Sequence, residues 1–80
     1  MAHTITVTDS TPDAAARTYT GSDLPELIRR VLLTEFDLAP ADLALAPEEF
    51  PYEILAAWTN PTLDNLEYAL SPFATLEHTY

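Results

Sequence analysis

"HTITVT", residues 3–8, alternates between β-branched aliphatics and threonine. On an extended chain Ile5 and Val7 point to one side and Thr4, Thr6 and Thr8 to the other, the period-two pattern of a half-buried strand. Such a strand needs neighbours. "ARTYTG" (16–21) alternates in the same way after the turn-forming "DSTPDA" (9–14), which predicts a hairpin ending at the only glycine, Gly21. The tail "FATLEHTY" (73–80) alternates a third time and puts Ala74, Leu76, His78 and Tyr80 on one face. A two-stranded hairpin is marginal on its own, so the tail is expected to join it as a third strand.

Between these strands the period changes. In "SDLPELIRRVLLTEFDL" (22–38), Leu24, Leu27, Ile28, Val31, Leu32 and Phe36 recur at three- and four-residue steps, the stripe of an amphipathic helix. Asp23 is placed to cap it, with Glu26 as its capping-box partner and Ser22 as the rival cap. Pro25 is tolerated in the first turn. Glu26 precedes Arg30 by four residues, the favourable order for a helix ion pair.

After Asp37, prolines at 40, 47, 51 and 61 punctuate the chain, and each can open a short helix because proline suits the first helical position. Short helices are expected at 40–46, at 51–59 burying Ile54, Leu55 and Trp58, and at 60–71. In the last, Asn60 is the expected cap, Leu63, Leu66 and Leu70 form the stripe, and Pro72 ends it.

These elements predict a single α+β domain over residues 1–80: a three-stranded antiparallel sheet, built from the N-terminal hairpin and the C-terminal strand, packed by one long and two or three short helices. The expected core contains Ile5, Val7, Leu27, Ile28, Val31, Leu32, Leu55, Trp58, Leu66, Leu70 and Leu76. No apolar run is long enough to cross a membrane, and "MAHTITVTDS" (1–10) lacks the basic and apolar regions of a signal peptide. With no cysteine there is neither a disulfide nor a thiolate metal site, which fits a reducing cytoplasm.

The chemistry of catalysis is sparsely represented. One glycine cannot build a P-loop or a dinucleotide loop. No serine stands in a nucleophile-elbow context. The adjacent Glu48 and Glu49 diverge on either a helix or a strand, and Asp64 and Glu67 share a helix face, but a chain this short does not easily build the sugar cleft a glycosidase needs. His3 and His78, on strands at opposite ends of the chain, meet if those strands pair; the ordinary reading is two partly exposed strand histidines. The expectation is a protein that is not an enzyme and takes no cofactor, no metal and no small-molecule substrate.

Charge is the outlying property. Thirteen acids face three arginines and no lysine, for a net charge of -10. That charge excludes direct binding to nucleic acid or an anionic membrane, both polyanions, and favours a basic protein surface. Acids at helix N-termini complement the helix dipole, which accounts for Asp23, Glu26, Glu53 and Asp64 but not for the missing lysines. The candidate partner-binding residues are therefore Asp37, Asp42, Glu48, Glu49, Glu53, Asp64 and Glu67, with Tyr52 and Tyr68 as aromatic anchors. Phe50 is also an anchor type, though a core position suits it better.

Three readings follow from the acids. Carboxylates one helical turn apart approximate the recurrence of phosphates along a DNA strand, so an acidic face can occupy a basic DNA channel. A small antitoxin-like inhibitor or adaptor needs only one short acidic epitope. Salt adaptation also yields acidic, lysine-poor chains, but a charged fraction of 20% is modest for that.

In size, acidity and want of a catalytic motif, the chain resembles the small inhibitors of bacteriophages and other mobile elements, DNA-mimic anti-CRISPR proteins above all. The acids of "EFDLAPADLALAPEEFPYE" (35–53) and "LDNLEYAL" (63–70) carry the likeness, which is one of general character over the whole chain. It implies an inhibitor acting in the cytoplasm of a bacterial host on a basic surface, such as a DNA-binding Cas subunit, and blocking target DNA.

Overall fold

A computed structural model describes residues 2–11 and 15–79. Pro12, Asp13 and Ala14 of the expected turn and Tyr80 of the expected third strand lie outside the described residues. The elements run β1 (His3–Asp9), β2 (Ala16–Gly21), α1 (Leu24–Glu35), α2 (Pro40–Leu45), a 3-10 turn (Pro47–Glu49), α3 (Tyr52–Thr59), α4 (Leu63–Leu70) and β3 (Ala74–Thr79).

The three strands form one antiparallel sheet in the order β2-β1-β3. β1 takes the centre because Ile5 and Val7 are completely buried, and only flanking strands on both sides can shield them and satisfy their backbone. The register opposes Ile5 to Tyr19 and His78, and Val7 to Arg17 and Leu76. Opposed residues share a face, so the same register puts Thr4, Thr6, Thr8, Thr18, Thr20, Thr75 and Thr79 on the other side of the sheet. Among the described residues Glu77 is the one charged side chain on that threonine face. The helices cover the apolar face alone, and the molecule measures 33 × 32 × 19 Å, the thickness of one helical layer on one sheet.

α1 is the helix the spacing predicts. Leu27, Ile28, Val31 and Leu32 are buried, and the Asp23 side chain accepts a hydrogen bond from the Glu26 backbone N–H at 3.3 Å. The predicted Glu26–Arg30 pair does not form. Arg30 instead donates to the Thr20 carbonyl of β2, tying the helix to the sheet edge. At its C-terminus Asp37 takes a left-handed conformation, φ 52°. The Leu38 N–H then reaches the Leu33 carbonyl at 2.9 Å and the Asp37 N–H the Thr34 carbonyl at 3.4 Å, a Schellman closure with an aspartate where glycine is usual.

The short helices depart from expectation at their ends. Pro47 opens only a 3-10 turn, and Pro51 stands just before α3 rather than in it. α4 begins at Leu63, and its cap is Thr62, whose hydroxyl accepts from the Asn65 N–H at 3.1 Å. Asn60, the expected cap, instead offers its carbonyl to the Asn65 side-chain amide at 2.8 Å. Burial of Leu66, Ala69 and Leu70 sets the start of this helix, and Thr62 is the capping residue at the right distance from them.

The core is Ile5, Val7, Leu27, Ile28, Val31, Leu32, Leu43, Ile54, Ala57, Leu66, Ala69, Leu70 and Ala74. Leu55, Trp58 and Leu76, expected inside, are only partly buried and pack around it. α3 turns Ile54 and Ala57 inward, which carries Leu55 and Trp58 to its rim, while Leu76 sits on an edge strand.

Candidate functional site

The fate of the arginines decides the electrostatics of the surface. Arg17, on the inner face of β2, is held between two carboxylates. Its Nε and Nη2 donate to Glu35 at 2.7 and 2.6 Å, and its Nη1 and Nη2 donate to Asp9 at 3.2 and 2.7 Å. Tyr19 adds a hydroxyl hydrogen bond to Glu35. Glu35 needs this company, because its side chain is 6% exposed and it ends α1, where the helix dipole disfavours an anion. The Arg17 hydrogen bonds hold both carboxyls below their ordinary range and raise the guanidinium further. Burial, together with the hydrogen bond to Glu35, pushes the Tyr19 phenol up to about 12.

The other two arginines are also hydrogen-bonded to the fold, Arg29 half-buried and Arg30 exposed. Arg29 lies over the Trp58 ring, 5.2 Å from its centroid, and donates from Nε to the Trp58 carbonyl at 3.0 Å. Arg30 is bound to Thr20, as above. Asp9 and Glu35 are thus the only carboxylates in ion pairs among the described residues. Asp23, Glu26, Asp37, Asp42, Glu48, Glu49, Glu53, Asp64 and Glu67 form no ion pair, though Asp23 and Glu26 share a hollow with Arg29 and Arg30, and all lie on the helices or their connections. The negative charge is therefore gathered in the helical layer and nearly absent from the threonine face.

Packing of α3 against α4 brings part of the predicted set together. A groove of about 390 Å³ is walled by Phe36, Pro51, Tyr68, Pro72 and Phe73, with Glu53 at its edge. A second, shallower hollow of about 310 Å³ is lined by Asp64, Glu67, Tyr68 and Ser71. Tyr68 belongs to both, so Glu53, Asp64 and Glu67 border one continuous surface around it. Tyr68 is 55% and Phe73 58% exposed, unusual for aromatic rings beside an apolar groove. Tyr52, at the first turn of α3 beside Pro51, is 76% exposed.

The rest of the predicted set is placed elsewhere. Asp37 closes α1, Asp42 sits in the first turn of α2, and the exposed Glu48 and Glu49 sit in the 3-10 turn; none lines either hollow. Phe50 is half-buried against the core. Phe36, Pro51, Pro72 and Phe73 are not among the expected site residues: the pattern gives Phe36 to the stripe of α1 and the two prolines to helix ends. Pro51, Pro72 and Phe73 share the signal of proline beside aromatic, "FPY" (50–52) and "SPF" (71–73), which marks turns but does not reveal that two such turns adjoin.

His3 and His78 do meet across β1 and β3. Their rings stack with centroids 5.2 Å apart, and His3 Nδ1 lies 3.0 Å from His78 Nε2, a hydrogen bond in which one ring donates and the other accepts. Among the described residues no third histidine, cysteine or carboxylate completes a metal-binding group with them, and no helix is long and apolar enough to cross a membrane. Comparison with protein-family models, with curated proteins and with solved structures finds no match for this chain.

Proposed function

We propose that this chain is a binding protein rather than an enzyme, and that its acidic helical layer docks on the basic surface of a nucleic-acid-binding protein and blocks it. The observation that carries this reading is the disposal of charge. All three arginines are hydrogen-bonded within the fold, and the seven carboxylates from Asp37 to Glu67 on the helices and their connections form no ion pair. The helix dipole favours the acids of first turns, such as Glu53 and Asp64, but it does not account for the want of cations around them, since like charges repel. A basic partner supplies the missing cations, and its field speeds the encounter. In this reading the protein is an anti-CRISPR-like inhibitor in a bacterial cytoplasm, and Asp64 and Glu67, one helical turn apart, stand where a Cas subunit expects DNA phosphates.

The test is competition. The purified chain is added to a CRISPR surveillance complex holding double-stranded target DNA, across a salt series. Displacement that fades steeply as salt rises is expected, because exposed charges are screened within about 10 Å at 0.1 M salt. Loss of displacement on reversing Asp64 and Glu67 to lysine ties it to this surface. Displacement that is indifferent to salt overturns the mimic.

A second reading has its own observation. Tyr68 and Phe73 are exposed around a single groove, the look of one compact hot spot rather than a long charged track. An antitoxin-like inhibitor or adaptor needs no more than that. Tight binding to a basic protein without displacement of its nucleic acid favours this alternative.

A further inference from the structure

The groove between α3 and the end of α4 combines features that select one kind of occupant. Its walls are aromatic rings and prolines, Phe36, Tyr68, Phe73, Pro51 and Pro72, and its volume of about 390 Å³ is at the small end for a ligand site. Its charged border is wholly negative: Glu53 at one side, Asp64 and Glu67 across Tyr68, and no cation among the residues that line either hollow. An apolar anchor entering here would strip water from those carboxylates and give nothing back. A cation that also stacks on rings satisfies both parts of the site.

We infer that this groove is a slot for an arginine side chain presented by the basic partner. The inference rests on the acidic-docking reading above and makes it specific. A guanidinium is flat, weakly hydrated and always charged, so it lies on the Tyr68 or Phe73 ring while its fork of N–H donors reaches the bordering carboxylates. Lysine is a compact, strongly hydrated point charge and fits the rim but not the walls. The fold uses the same chemistry within itself: Arg29 spreads over Trp58 at 5.2 Å and spends its Nε on a carbonyl of the same residue. The groove likewise sets aromatic rings beside acceptor oxygens.

The experiment titrates the full chain with hexa-arginine and with hexa-lysine at equal, low salt, following affinity by calorimetry and backbone amides by NMR. Hexa-arginine is expected to bind about three- to tenfold tighter, with the largest shifts at Glu53, Tyr68, Ala69 and Phe73. Tyr68→Ala, at an exposed position, should weaken the preference, and Tyr68→Phe should keep it. Equal affinity for the two peptides, with shifts spread over all the acids, overturns the arginine slot and leaves the acidic-docking reading standing. Binding of neither peptide overturns both.

Discussion

The rings of Phe36 and Phe73 meet edge to face, their centroids 5.9 Å apart and their planes at 75°. Phe36 follows α1 and Phe73 precedes β3, so the contact fastens the helical layer to the start of the last strand. Both rings also line two hollows: the acid-bordered groove and a larger one, about 540 Å³, that contains Asp9, Arg17 and Glu35. The aromatic pair is thus the partition between a charge cluster that is internally satisfied and a surface that is not. Edge-to-face pairs contribute about 0.5–1.5 kcal/mol beyond area burial. Phe73→Ala should therefore lower stability by about 1–2 kcal/mol in urea unfolding, while Phe73→Leu recovers the burial but not the ring contact.

Arg17→Ala tests the charge cluster. It strands Glu35, a nearly buried carboxylate at the wrong end of a helix dipole. Removing one partner of a buried pair costs about 3–5 kcal/mol, and the half-exposed position of Arg17 reduces that to about 2 kcal/mol. The expected fall in Tm is roughly 10 °C. The added change Glu35→Gln should restore part of the loss, because the stranded charge is then gone. No recovery in the double variant would show that Arg17 acts by packing rather than by charge.

The same cluster sets the pH limits of stability. Glu35 has its carboxyl depressed in the folded state, first by the Arg17 hydrogen bonds, so its contribution is present above the unfolded value of 4.5 and is lost as pH falls through the folded value. Tyr19 is raised from 10.0 to about 12. The folded state therefore resists its ionisation, and stability declines as pH climbs from 10 towards 12. A Tm–pH series should show both limbs, and Tyr19→Phe should flatten the alkaline one. An alkaline limb that is unchanged in Tyr19→Phe would assign it to other groups.

Asp37 is a backbone device before it is a contact. A left-handed residue with a side chain costs about 1–2 kcal/mol, and glycine escapes most of it. Asp37→Gly should stabilise the chain by about 1 kcal/mol in thermal unfolding. A drop in stability would mean that the carboxylate itself holds the turn.

Charge reversal separates surface from structure. Glu48→Lys with Glu49→Lys removes two exposed acids that have no cation and contact neither hollow. Tm should stay level or rise, since self-repulsion falls, while affinity for the basic partner drops. Reversing Glu53, at the groove edge, should weaken binding more than either. A large stability loss with binding intact would give these acids a structural role.

Much of the fold is legible in short windows. The alternation of "HTITVT" specifies a strand whatever its neighbours, and the three- and four-residue steps from Leu24 to Leu32 specify a helix, because each pattern reports one face meeting an apolar layer. The prolines locate the breaks. The net charge needs no structure at all.

What only tertiary structure decided lies beyond the reach of one helical turn. Choosing Thr62 over Asn60 as the cap required knowing that Leu66 and Leu70 are the buried pair. Placing β1 in the middle required summing burial across strands whose partners lie at opposite ends of the chain. Above all, the sequence shows thirteen acids and three arginines but not which are spent on each other. Arg17 finds Glu35 because β2 and α1 share a core, and Glu53 and Tyr68 come to line one groove because α3 packs on α4. Local pattern records what each residue prefers; the burial of distant apolar faces settles which charges are left for a partner.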